Sequence, residues 1–136
     1  MEIAAIMLLT MIFLHVVADF NLQTGEMKKW KQKLWWDNNY PDELYEDDYK
    51  MILAIHSFVW SFVIHIPIMA YILIYDIHLD VFSLLWTILL NVIAHYIIDD
   101  MKANQRKISL LMDQALHYTA VTLTWLVYMF WLGIFG

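Results

Sequence analysis

The stretch His15-Val-Val-Ala-Asp19-Phe-Asn-Leu-Gln23 sets an imidazole, a carboxylate and an amide at intervals of four residues. On an α-helix such residues share one face, with Cβ atoms about 5–6 Å apart. The interval recurs at His95 and Asp99, and in reverse order at Asp113 and His117, while His56 stands alone. Imidazole and carboxylate together bind zinc, manganese or iron. Helix bundles build such sites from side chains on facing helices. His15, Asp19, His56, His95, Asp99, Asp113 and His117 are therefore candidate ligands for one or two divalent ions. Seven exceed the three or four protein ligands of one zinc ion. Two ions about 3.5–4 Å apart are common in phosphoryl hydrolysis. Asp19 and Asp113 are also the candidate general bases, as carboxylates able to take a proton from water. Some of the seven could orient the histidines instead of binding metal, and any one pair taken alone also reads as a structural ion pair between helices.

These residues sit in a chain of 136 residues that is 62% hydrophobic, above the roughly 45–50% of soluble proteins. That excess predicts an integral membrane protein: a single all-α domain, 1–136, built as a four-helix bundle. A span needs about 20 mostly apolar residues. Four stretches qualify, at about 3–20, 51–75, 81–98 and 108–135, the second interrupted at Pro67. The first lacks a basic flank and an obvious cleavage site, so it reads as a retained span and not a signal peptide. Between the first two spans, Met27, Trp30 and Leu34 recur at helical spacing among Lys28, Lys29, Lys31 and Lys33. That pattern predicts a short amphipathic helix in the lipid headgroup layer. The acidic run from Asp37 to Asp48, with Pro41 inside it, predicts a solvated loop. The formal net charge of −6 argues against a nucleic-acid partner, and the absence of cysteine excludes disulfides and thiolate ligands.

All eight basic residues fall between spans one and two or between spans three and four. The positive-inside rule places both connections in the cytoplasm and both termini outside. At about 1.5 Å per residue, the seven candidate ligands then lie roughly 5–15 Å from the basic loops. Both descending helices read HxxxD and an ascending one DxxxH, which puts the histidines deeper than the carboxylates throughout. Ionisable groups inside a membrane are expensive and mark functional sites. His65 and His78 fall outside this layer. Gln23, Lys102, Arg106 and Gln114 flank it and are candidate binding groups for an anionic substrate. The lysine and arginine read equally as topology signals.

Taken in order, HVVADFNLQ, AHYIIDDMK and DQALH resemble the domain of unknown function 3307 family, small membrane proteins of phages and bacteria. The resemblance runs over nearly the whole chain. It marks His15, Asp19, Phe20, Gln23, His56, His95, Asp99, Lys102, Asp113, Gln114 and His117, and the acidic stretch around Asp42 to Asp48 departs from it. It implies a membrane protein and no established activity. The HxxxD pattern is more distantly similar to that of membrane-bound metal-dependent hydrolases.

These features predict a metal-dependent hydrolase of the cytoplasmic leaflet, acting on a phosphorylated lipid or nucleotide-like molecule. Membrane lipids are expected neighbours, and a bundle this small could pair as a homodimer. The competing classes are a small proton or metal-ion transport or channel component, and a phage-type regulatory protein whose polar layer serves assembly only. Against transport, no comparable polar trail is apparent above the layer beyond His65 and scattered serines and threonines.

Overall fold

A computed structural model describes residues 2–134, which form six α-helices and no strand. The helices are α1 (Glu2–Val16), α2 (Gly25–Trp30), α3 (Lys33–Asn39), α4 (Asp48–Ile74), α5 (Val81–Ala103) and α6 (Leu110–Trp131). The four long ones pack as a bundle. α1 and α5 each lie against both α4 and α6, and the α4–α5 interface is the most extensive. The helix starts follow local chemistry. Side-chain oxygens of Thr24, Asp80 and Ser109 accept the N–H of Met27, Ser83 and Met112, which satisfies donors that a helix N-terminus leaves open.

α1 (with the turn that follows it), α4 and α5 are long and apolar enough to cross a membrane. α6, expected as a fourth span, has the length at 22 residues but falls short on apolar composition. Asp113, Gln114, His117 and three threonines dilute its apolar residues. Its expected end at 135 lies outside the described residues. Two other boundaries differ from expectation. α4 runs unbroken through Pro67. α5 continues past Ile98 to Ala103 and so keeps Asp99 and Lys102 helical.

The expected single amphipathic helix after α1 is two short ones, α2 and α3, split at Lys31 and Gln32. The side chain of Asn104, at the end of α5, receives the backbone N–H of Lys33 (2.7 Å) and donates to the carbonyl of Lys31 (3.2 Å). These bonds pin the α2–α3 junction to the end of the bundle. Trp35, Trp36, Tyr40 and Tyr45 pack ring against ring beside it.

Polarity runs opposite to a soluble bundle. Among the described residues 14 buried side chains are polar or charged and 11 are hydrophobic. Phe13, Phe62, Leu73, Phe82, Trp86 and Phe130 meanwhile face outward, all at least 46% exposed. Large exposed apolar patches mark contact with a partner or lipid. The bundle thus keeps its polar groups inside and presents hydrocarbon outward.

Candidate metal centre

Asp19 stands in a π-helical turn, Val17–Asn21, that extends α1. The Leu22 N–H bonds to the Val17 carbonyl five residues back, at 2.9 Å. Single π turns inside helices occur frequently at functional sites. This one carries Asp19 into the bundle and brings Gln23 under cover as well, each 7% exposed. α4 contributes His56, α5 contributes His95 and Asp99, and α6 contributes Asp113 and His117; all five are at most 2% exposed. Every one of the seven expected residues is therefore buried.

They divide by geometry. Asp19, His56, His95 and Asp99 each offer one ligand atom to a first group, and Asp19, Asp113 and His117 to a second, with the atoms of each group within 4.8 Å of one another. Asp19 belongs to both. His56 Nε2 lies 3.5 Å from Asp19 Oδ1 and 3.6 Å from Asp99 Oδ2. His95 Nε2 lies 3.8 Å from Asp99 Oδ2. His117 Nε2 lies 3.5 Å from Asp99 Oδ1 and 3.5 Å from Asp113 Oδ1. The three Nε2 atoms and Asp113 Oδ1 have no hydrogen-bond partner. Separations this long exceed the usual 2.7–3.2 Å of a hydrogen bond. They are close to the roughly 3.4 Å between neighbouring donors that each stand about 2.0–2.1 Å from one tetrahedral ion. The buried groups can hold a metal ion.

His15 is outside both groups. Its Nδ1 accepts the Trp60 indole N–H at 2.8 Å, so the ring proton resides on Nε2, which donates to Gln114 Oε1 at 3.1 Å. Both nitrogens are thereby engaged. Gln114 Nε2 in turn donates to Asp19 Oδ2 (2.8 Å) and Asp113 Oδ2 (3.0 Å). Trp60, His15 and Gln114 thus form a hydrogen-bonded chain that orients two carboxylates of the centre. His95 and His117 are aligned differently, by stacking. Their ring centroids are 4.2 Å apart, and Trp60 stacks on His95 at 4.3 Å.

Two lysines close the centre from the loop side. Lys31 Nζ lies 2.7 Å from Asp99 Oδ2, and Lys102 Nζ 2.7 Å from Asp113 Oδ2. Lys33, two residues from Lys31, instead pairs with Asp37 and Glu46 in the acidic loop; its hydrogen bond to Asp37 raises its pKa above the ordinary lysine value. Outside the carboxylates an open pocket of about 440 Å³ is bordered by Asp19, Gln23, Lys28, Lys31, Lys102 and Arg106. Gln23, Lys102 and Arg106, expected as substrate groups, all reach it. Gln114 is absent from its border and serves the carboxylates.

Trp60 and Lys31 were not foreseen. In the sequence Trp60 is one of seven tryptophans and Lys31 one of a run of lysines. No local signal separates them from their neighbours. Their roles arise from α1 meeting α4, and from the α2–α3 junction folding over α5. His78 lies exposed in the α4–α5 turn. His65 is buried, with Nδ1 donating to the Ser61 carbonyl at 2.7 Å. It belongs to a second polar layer in which Tyr128 bonds Thr87 and Asn91 bonds Thr124. Of the threonines that look scattered in sequence, Thr87 and Thr124 meet there.

Compared with protein-family models, curated proteins and solved structures, the chain matches none.

Proposed function

We propose that the protein is a membrane-embedded, metal-dependent hydrolase acting on a phosphorylated lipid or nucleotide-like substrate. One observation carries the reading. Three buried imidazole Nε2 atoms and Asp113 Oδ1 have no hydrogen-bond partner and stand at ligand-to-ligand separations from the carboxylates around them. Buried polar groups without partners are rare and costly, and one ion would satisfy several together. The Asp19, His56, His95 and Asp99 group is the principal site. The Asp19, Asp113 and His117 group offers a second, with Asp19 shared. Two imidazoles and two carboxylates suit zinc, manganese or iron.

Asp19, His56, His95 and Asp99 would hold the divalent ion, which would supply Lewis-acid chemistry, lowering the pKa of water to about 7 and polarising the scissile group. The protein supplies the rest. Gln114 and Lys102 hold Asp113 through Oδ2, leaving Oδ1 to accept a proton as general base. Asp19, committed to both groups, serves to hold metal more than to move protons. Gln23, Lys102 and Arg106 border the approach for an anionic substrate. α1, α4, α5 and α6 span the membrane in this reading. All eight basic residues lie on the cytoplasmic side with the site, and both termini lie outside. The likeness of HVVADFNLQ, AHYIIDDMK and DQALH to the domain of unknown function 3307 family agrees with a small bacterial or phage membrane protein.

The second polar layer favours a competing reading, a proton or metal-ion pathway through the bundle. Its Thr87–Tyr128 and Asn91–Thr124 contacts close on one another, which supports a packed layer over an open path. Phosphate release from phosphatidic acid and from soluble phosphomonoesters, by protein loaded with Mn²⁺ or Zn²⁺, tests the enzyme. Turnover that stops with a chelator and returns with metal is expected. Metal-loaded protein that hydrolyses none of these but carries ion flux in liposomes would replace the hydrolase with the transporter.

A further inference from the structure

The pocket beside Asp19 has a charge arrangement that the metal centre alone does not explain. Lys28, Lys31, Lys102 and Arg106 border it against a single carboxylate. Gln23 borders it too, and its Nε2 is a buried donor with no acceptor. Four cations and an unsatisfied amide N–H on one cleft ask for an anion rich in acceptor oxygens. Yet two of the cations are occupied. Lys31 and Lys102 spend their ammonium groups on Asp99 and Asp113.

We propose that this pocket is a phosphate site that metal loading switches on: binding of a divalent ion frees Lys31 from Asp99 to ligate phosphate with Gln23 and Arg106. The proposal rests on the metal reading above and extends it to the substrate's charged group.

The competition is for particular atoms. Asp99 Oδ2 bonds Lys31 and also lies 3.6 Å from His56 Nε2 and 3.8 Å from His95 Nε2. An ion held there meets the Lys31 ammonium at the same carboxylate. Charge points the same way. Asp19, Asp99 and Asp113 outweigh Lys31 and Lys102 by one negative charge, and one divalent ion makes the centre positive by one. Buried charge without a counter-charge is expensive. A phosphate monoester carries close to two negative charges at neutral pH and has strong acceptor oxygens. Lysine suits the movement, because its ammonium rides on a flexible four-carbon stem with three donors. Lys31, only 12% exposed at its side chain, lies on the pocket wall already and needs to turn, not travel. Arg106 adds a planar fork that matches phosphate oxygens in pairs.

The test is phosphate binding to the full chain in detergent, measured by equilibrium dialysis of inorganic phosphate with and without saturating Mn²⁺. Metal should tighten phosphate binding by about tenfold, and phosphate should tighten Mn²⁺ binding by the same factor, because coupling between sites is reciprocal. Lys31→Met should weaken phosphate while strengthening Mn²⁺, since a competitor for Asp99 is gone. A merely structural lysine would weaken both. Gln23→Leu should weaken phosphate and leave Mn²⁺ binding unchanged. Displacement by a short-chain phosphatidic acid but not by glycerol 3-phosphate identifies a lipid headgroup as the source. Displacement by both identifies any phosphomonoester, and either result supports the site. If no Mn²⁺ binds, the metal reading itself fails. If Mn²⁺ binds and phosphate binds equally well with and without it, the switch alone is overturned.

Discussion

The indole N–H of Trp60 donates to His15 Nδ1 at 2.8 Å, and this bond decides what His15 does. With Nδ1 accepting and Nε2 donating to Gln114, the ring has no lone pair to spare. The histidine that heads the most prominent motif in the sequence therefore has both ring nitrogens engaged, while His56, His95 and His117 keep Nε2 atoms without a hydrogen-bond partner.

Trp60→Phe separates these roles. Phenylalanine keeps an aromatic face against His95 and removes the donor. Metal stoichiometry should persist while affinity falls by about 10–100-fold, as for lost partners of ligand-orienting groups. Isothermal titration with Mn²⁺ or Zn²⁺ measures both quantities. Stoichiometric loss of metal in Trp60→Phe would instead make His15 a ligand.

Gln114→Leu should be most harmful without metal. Gln114 donates to both Asp19 and Asp113, so its removal leaves two buried carboxylates short of a shared donor. A loss of about 1–3 kcal/mol is expected for a buried polar group deprived of its partner. A divalent ion offers those carboxylates another partner and should restore part of the loss. Thermal unfolding with and without Mn²⁺ reads the difference.

Metal affinity should fall with acid. Imidazole must be neutral to bind an ion, so protons and metal compete, and binding releases protons. Affinity should therefore weaken progressively as the pH falls. Titrations at several pH values, with proton release followed in weak buffer, check the sign. Affinity that rises on acidification would exclude the histidines as ligands.

The HxxxD and DxxxH pairs were legible in the sequence because their chemistry follows helix periodicity, and burial of all seven residues follows from that spacing and the surrounding apolar stretches. Division of the seven was not legible. His15 and His95 each stand four residues before an aspartate, and only the approach of α4, with Trp60, removes His15 from the ligand groups. Lys31 was hidden for a similar reason. Among equivalent lysines, the break between α2 and α3 and its anchoring by Asn104 select the one that reaches Asp99. α6 shows the opposite effect. Asp113, Gln114 and His117, which make it more polar than a typical membrane span, are the residues it turns toward the centre.

Elemental analysis of purified protein tests the central claim most directly, comparing wild type with Asp99→Ala and His117→Ala after each is incubated with Mn²⁺, Zn²⁺ or Fe²⁺ and desalted. The wild type should retain one or two ions per chain. Asp99→Ala should lose the principal ion, because it removes a carboxylate that faces His56, His95 and His117. His117→Ala should lose at most the second. A folded wild type that retains none of these metals, with a melting temperature unchanged by their addition, would contradict the account.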